Sequence, residues 1–190
     1  MRKMEEKILA EGEILSGGVL KVGSFLNQQI DTVFMKEIGE EIAEMFKDEE
    51  VTKILTIEAS GIPIAVSAGF AMELPVVYAK KNKSSNISGD VYSTVVQSFT
   101  HGNKNHVIVN KEYISPDDKV LIVDDFLATG AALKGLRALV EQAGGTVVGA
   151  GIAIEKAFQG GGDELRRSGM RVESLARIAS MSDDSLEFVR

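Results

Sequence analysis

The run VLIVDDFLATGAA, Val120 to Ala132, constrains this chain more than any other stretch, because it sets a buried strand, two adjacent carboxylates and a small-residue turn in consecutive order. Four apolar residues, Val120 to Val123, fit a central parallel strand covered on both faces. Asp124 and Asp125 are expected to end that strand, at the edge where open α/β sheets bind ligands. From Ala128 to Ala132 the side chains are small and Gly130 permits positive φ, so backbone N–H groups can converge on an anion at a helix N-terminus. The helix that follows carries Ala131, Leu133, Leu136, Leu139 and Val140 on its apolar side. Ionised acids only accept hydrogen bonds, so beside an anion site they suit sugar hydroxyls or a metal rather than a second phosphate. One ligand presenting both a phosphate monoester and a diol satisfies the whole run. The bland alternative has the acids merely ending a strand and Thr129 capping a helix; the ordered combination favours the functional reading.

The rest of the chain reads as alternating strands and helices. Lys3 to Glu11 predicts a short helix, broken at Gly17-Gly18 before an apolar stretch through Leu20, Val22, Phe25 and Leu26. Asp31 caps a longer helix with Met35, Ile38, Ile42 and Met45 on one face. Val51 to Ile57, Glu58-Ala59-Ser60-Gly61, Ile62 to Met72 and Val76 to Ala79 then spell strand, short loop, helix, strand, the pattern of a right-handed parallel crossover. Lys80 to Asn105 is long and polar and suits a mobile hairpin or lid. Strands follow at Val107 to Val109, Thr146 to Ile154 after a Gly144-Gly145 helix stop, and Val172 to Ile178, with Asp163 capping a brief helix between the last two.

With 190 residues, 44% of them hydrophobic, the chain is long enough for one well-buried domain, expected to span 1–190. A formal net charge of -7 opposes attraction to nucleic acid or an anionic membrane, so no such partner is expected. The absence of cysteine excludes disulfides and thiolate chemistry. MRKMEEKILAEGE has no signal-peptide apolar core, and no run is long enough to span a bilayer, so a soluble cytoplasmic protein is expected. His101 and His106 lack the paired spacing of a metal site.

The run from Val120 to Ala132 resembles the ribose-phosphate signature of the type I phosphoribosyltransferases. The similarity extends from about Met4 to Val189 and is narrowest to the bacterial xanthine branch, through LKVGSFLNQQID, EASGI, GIAIEKAFQ and RVESLARI. It implies an α/β fold with a central, mostly parallel twisted sheet flanked by helices. A small hood is built partly from the N-terminal segment, about 1–30, plus the C-terminal region. It further implies that phosphoribosyl pyrophosphate and xanthine are the substrates, giving xanthosine 5'-monophosphate and pyrophosphate. Mg²⁺ is expected to be held mainly by the pyrophosphate, with no protein metal ligand assigned. By the same resemblance Asp124 and Asp125 contact the ribose hydroxyls and stabilise positive charge on the ring. Ala128, Thr129, Gly130, Ala131 and Ala132 cradle the ribose phosphate, and Ser60 and Gly61 belong to the pyrophosphate loop. Lys81, with Lys80 and Lys83 as lesser candidates, supplies positive charge. In related enzymes this basic residue reaches a neighbouring subunit, which implies a homodimer.

Lys156 follows a buried strand, and its ammonium donates hydrogen bonds and accepts none, which matches the carbonyl oxygen of an oxopurine and opposes the amino group of adenine. Asn27 can donate to a carbonyl of xanthine or, flipped, accept from the amino group of guanine. Leu20 supplies an apolar or backbone contact beside it. Phe126 and Phe158 can pack on a purine face, although an aromatic at a strand end is more often core. Two other readings stay open on residue chemistry. One is a guanine or hypoxanthine phosphoribosyltransferase. The other is a regulator that senses phosphoribosyl pyrophosphate, which the acidic balance disfavours.

Overall fold

The computed structural model describes residues 1–15, 18–81, 90–97, 104–182 and 185–190. Chain order gives helix α1 (Arg2–Glu11), strands β1 (Glu13–Leu15) and β2 (Val19–Lys21), a π-helical turn (Gly23–Asn27), α2 (Thr32–Met45), β3 (Lys53–Ile57), α3 (Gly61–Met72) and β4 (Val76–Lys81). There follow β5 (Val91–Gln97), β6 (Lys104–Asn110), β7 (Lys119–Leu127), α4 (Ala131–Gln142), β8 (Thr146–Lys156), α5 (Gly161–Arg167), β9 (Val172–Met181) and β10 (Leu186–Phe188).

The main sheet runs β10-β9-β8-β7-β3-β4-β6-β5. Its centre, from β9 through β4, is parallel, and antiparallel strands complete both edges. The central runs are apolar because both faces are covered. Along β7, Leu121 and Val123 face a core shared with α1, α2 and α3, while Val120 and Ile122 face one shared with α4. The two halves of the sheet are thus wound in opposite senses. Helix α3, which follows β3, packs Ile64, Ala65 and Ala68 on the first face; α4, which follows β7, packs Leu133, Leu136 and Leu139 on the second. Between these neighbours β3 and β7 pair only as far as Leu55 with Ile122, so their carboxyl ends part and leave a crevice at the switch point.

Several expectations need correction. β7 does not end at Asp124: it stays paired with β8 to Leu127, because the partner strand supplies backbone acceptors and donors through Glu155. Lys80 and Lys81 lie in β4 rather than in a polar loop, since β6 pairs with them as Ile108 and Val107. Parts of the expected lid form the β5–β6 hairpin; Lys83 and His101 lie outside the described residues, while His106 is exposed on β6. Helix α5 is capped by Gly160 at φ 76°, not by Asp163, and α4 by Gly130 at φ 80°, which excludes the bland alternative of a Thr129 cap. Glycine takes both places because the chain turns there through the left-handed region. Asp31 does cap α2, accepting from Phe34 N–H at 3.1 Å.

The N-terminal segment closes over the sheet edge. β1 and β2 form a separate hairpin, and the π-helical turn buries Phe25 and Leu26 against the first core. Lys7 ties this turn to α1: it pairs with Asp31 at 2.8 Å and lies 5.8 Å from the Phe25 ring centroid. No helix among the described residues is long and apolar enough to cross a membrane.

At the opposite end of the sheet, Asp118 collects bonds from Lys53 (2.8 Å), the Ser115 backbone N–H (2.7 Å) and Thr52 (3.1 Å). Burial would raise its carboxyl, but these donors outweigh burial and hold it below the usual range. A carboxyl lowered in the native state contributes stability that is complete above its unfolded value, about 4, and disappears as pH falls through the native one. Asp118→Asn should therefore lower stability at pH 7 by roughly 1–3 kcal/mol and flatten its fall in acid. Urea unfolding at pH 7 and between pH 5 and 3 measures both.

Candidate active site

A cavity of about 740 Å³ opens at the crevice between β3 and β7. Each element around it contributes for a local reason. The acids come from β7, whose pairing with β8 fixes them on a rigid strand rather than a loop. Asp124 is buried, and its Oδ1 accepts the backbone N–H of Asp125 at 3.0 Å. Burial, and then the charge of Asp125, push the Asp124 carboxyl well above its usual range, while the Lys81 ammonium works against them. Asp125 is only half-buried and faces the cavity.

The loop after β3, which includes a cis peptide between Glu58 and Ala59, is drawn hard against Asp124. A Cβ at Gly61 would lie 2.2 Å from Thr56 Oγ1 and 2.8 Å from Asp124 Oδ1, so no other residue allows this approach. Ser60 sits at the start of α3, and its hydroxyl makes no capping bond. Glu58 secures the loop from the side by accepting the Lys81 backbone N–H at 2.6 Å. That bond holds Lys81 at the rim of the same chain's cavity.

Beyond Leu127, residues Ala128, Thr129, Gly130, Ala131 and Ala132 curl around the cavity floor. No side chain caps α4, and its first intrahelical bond in this turn runs from Lys134 N–H to Gly130 O. The preceding amides thus keep their hydrogens free at the positive end of a twelve-residue helix, the arrangement that binds phosphate.

Lys156, Asn27 and Leu20 converge at the other end, from β8, the π-helical turn and β2. The Lys156 ammonium donates to Gly18 O at 3.0 Å and lies 5.7 Å from the Phe126 ring centroid; burial lowers its pKa. Asn27 Nδ2 donates to Asp125 Oδ2 at 3.4 Å, linking this end to the acid pair. The principal site residues expected from sequence therefore line one cavity, whereas Lys80, a lesser candidate, does not and Lys83 lies outside the described residues. Phe126 and Phe158, more often core at a strand end, both line the cavity, as does Gln159, whose position after a strand end carries no recognisable pattern in the sequence. Among the described residues no group of three or more His, Cys, Asp or Glu could hold a metal ion by itself. A hard cation held by two carboxylates at most and otherwise by ligand oxygens and water fits this donor set.

The phosphoribosyl transferase domain family matches residues 27–167, which include β7 and its loop. The chain belongs to that family. Among curated proteins, this phosphoribosyltransferase is 53% identical to the xanthine phosphoribosyltransferase of Bacillus cytotoxicus and 52% identical to that of Bacillus cereus, in each case over the full chain and 96% of the relative. Among solved structures it superposes on the adenine phosphoribosyltransferases of Giardia lamblia and Trypanosoma brucei. The TM-scores are 0.78 and 0.79 at 20% and 17% identity, covering 92% and 95% of this chain and 97% and 82% of those chains. Those two likenesses establish the fold. The expected architecture, a central parallel sheet flanked by helices, is the one observed.

Burial and the neighbouring charge of Asp125 make ionisation of Asp124 costly to the folded state of this phosphoribosyltransferase. Because its native pKa is raised, the native state binds protons more readily than the unfolded chain, and stability falls as pH rises through that interval. Asp124→Asn keeps the acceptor for Asp125 N–H and removes the buried charge. It should lessen the fall of melting temperature with rising pH while lowering turnover on the order of 10²-fold; calorimetry across a pH series and a pyrophosphate-release assay read the two effects.

Proposed function

We propose that this enzyme transfers the phosphoribosyl group of phosphoribosyl pyrophosphate to a ring nitrogen of xanthine, giving xanthosine 5'-monophosphate and pyrophosphate in purine salvage. The observation that carries the reading is one shared cavity in which the buried Asp124 and the half-buried Asp125 stand between an amide-lined helix start and an ammonium at a strand end. The identity of about half the residues with xanthine phosphoribosyltransferases over the full chain supports the choice of base.

In this reading the amides of Ala128 to Ala132, with the Thr129 hydroxyl, bind the 5'-phosphate. Asp124 and Asp125 accept from the ribose hydroxyls. When the bond from the anomeric carbon to pyrophosphate breaks, its electron pair leaves with the pyrophosphate and positive charge builds on the ring, where the two carboxylates stabilise it. Ser60, the N–H of Gly61 and the Lys81 ammonium meet the departing diphosphate. Mg²⁺ bound chiefly by the diphosphate would offset its charge. The base nitrogen then bonds to the anomeric carbon and its proton goes to solvent. Lys156 donates to the carbonyl of the base, Asn27 pairs with its edge, and Leu20, Phe126 and Phe158 pack around its ring.

Pyrophosphate release measured with xanthine, guanine, hypoxanthine and adenine tests the base. The expected order has xanthine first by specificity constant and adenine inactive; guanine or hypoxanthine ahead of xanthine would replace this reading with the neighbouring one. Lys156→Met should reduce the specificity constant for xanthine roughly 10- to 100-fold, the worth of one charged hydrogen bond, and change the KM for phosphoribosyl pyrophosphate far less.

We further propose a cytoplasmic homodimer. Support comes from the outer face of α3, where Phe70 is 79% exposed one turn from the exposed Val66, with exposed Tyr78 on the adjoining β4. Sedimentation should give a dimer, and Phe70→Asp should shift it toward monomer; an unchanged dimer would move the contact elsewhere.

A further inference from the structure

Behind the phosphate loop lies a second layer that touches no part of the cavity's acid pair. Helix α5 starts directly against the loop: Gly161 N–H donates to Ala128 O at 3.2 Å. A Cβ at position 161 would fall 2.3 Å from Ala128 O, 2.3 Å from Thr129 C and 2.5 Å from Gly130 N. These are backbone atoms of the loop itself, so they can yield only if the loop moves. Leu165, buried on the same helix, closes the contact beneath Gly130.

What holds α5 in that place is a buried charge cluster. Glu155, fully buried near the end of β8, accepts from Arg166 of α5 through both oxygens, at 2.8 and 2.7 Å. Its Oε2 also accepts from Ser174 (2.6 Å) and Arg177 (3.1 Å) of β9, and Arg166 Nε donates to Val172 O at 3.1 Å. The paired guanidinium is oriented on all sides, a geometry a single point charge would not supply. Gly162 lets the carboxylate come this close, since a Cβ there would lie 2.2 Å from Glu155 Oε1. Glu155 also pairs by backbone with Leu127, the last residue before the phosphate loop, and directly precedes Lys156. Glu155 is thus tied to the loop from β7 and from α5.

We propose that α5 is a brace for the phosphate loop, with Glu155 and Gly161 as positioning residues that set where the loop amides meet the ribose phosphate. The inference rests on the reading of the site given under the proposed function. Because an error of an ångström in such donors costs about tenfold to a hundredfold, loosening the brace should act selectively on the phosphate end.

The test uses Glu155→Gln, which preserves shape, and Gly161→Ala, which leaves the ion pair intact and pushes on the loop. Calorimetric titration with ribose 5-phosphate should show at least a tenfold weaker complex in both variants. Steady-state kinetics should show KM for phosphoribosyl pyrophosphate raised at least as much, with KM for xanthine within twofold of the parent. Equal changes in both KM values, or ribose 5-phosphate affinity unchanged in Glu155→Gln, would overturn the brace; if Gly161→Ala does not fold, the Gln variant decides alone. A parent protein that binds ribose 5-phosphate but does not turn over xanthine would overturn the functional reading and leave the brace to be judged by the titration. A parent that fails to bind ribose 5-phosphate would overturn both.

Discussion

The separation of β3 and β7 beyond Leu55 and Ile122 is the constraint on which the rest of the molecule depends. Two parallel strands that stayed paired to their ends would seal the sheet and leave only surface above it. Here the helices that follow them pack on opposite faces, so the two loops are pulled apart and their free amides and hydroxyls turn toward a shared space. β7 nevertheless keeps its other partner, β8, through Leu127. Asp124 and Asp125 are therefore open on one flank and rigid on the other, which places carboxylates beside a cavity without leaving them on a flexible segment.

Glycines then set distances that side chains cannot. Gly61 brings the loop after β3 onto Asp124 and Thr56; Gly161 and Gly162 bring α5 onto the loop after β7 and onto Glu155. The two contacts lie on either side of the acid pair and act alike: backbone approaches within a distance that any Cβ would forbid. A cavity lined in this way gains its closeness from the backbone, so that amides themselves, rather than long side chains, are the donors it offers an anion.

Much of this was legible in the chain. The apolar runs at Ile54, Val120 and Thr146 to Ile154 gave the sheet its centre because buried parallel strands leave an uninterrupted signal. The small residues from Ala128 to Ala132 marked a tight turn into a helix at the cavity floor, and Gly130 takes the left-handed conformation there. The N-terminal hairpin was harder, since β1 and β2 are three residues each and carry no periodicity to read. The placement of Lys81 on a strand depended on β6, a partner more than twenty residues away, which local composition does not encode. Glu155 was invisible as a functional residue: one acid in GIAIEK looks like the polar end of a strand until Arg166, Ser174 and Arg177 are brought to it from α5 and β9.

The two buried acids of the ligand edge are handled in opposite ways, and the contrast separates binding from support. Burial would raise the Glu155 carboxyl, but the donors of Arg166 and Ser174 and the charges of two guanidinium groups overcome it and keep the group lowered. Asp124 is just as buried and receives one backbone N–H, so its carboxyl stays raised. A charge fully satisfied inside the protein has no bonding capacity left for a ligand, whereas one left short of donors is stabilised when hydroxyl groups arrive. Glu155 thus belongs to the frame, complete without substrate. Asp124 lines the cavity short of donors, and under the proposed function an incoming sugar and the positive charge that develops on it would supply what the fold withholds.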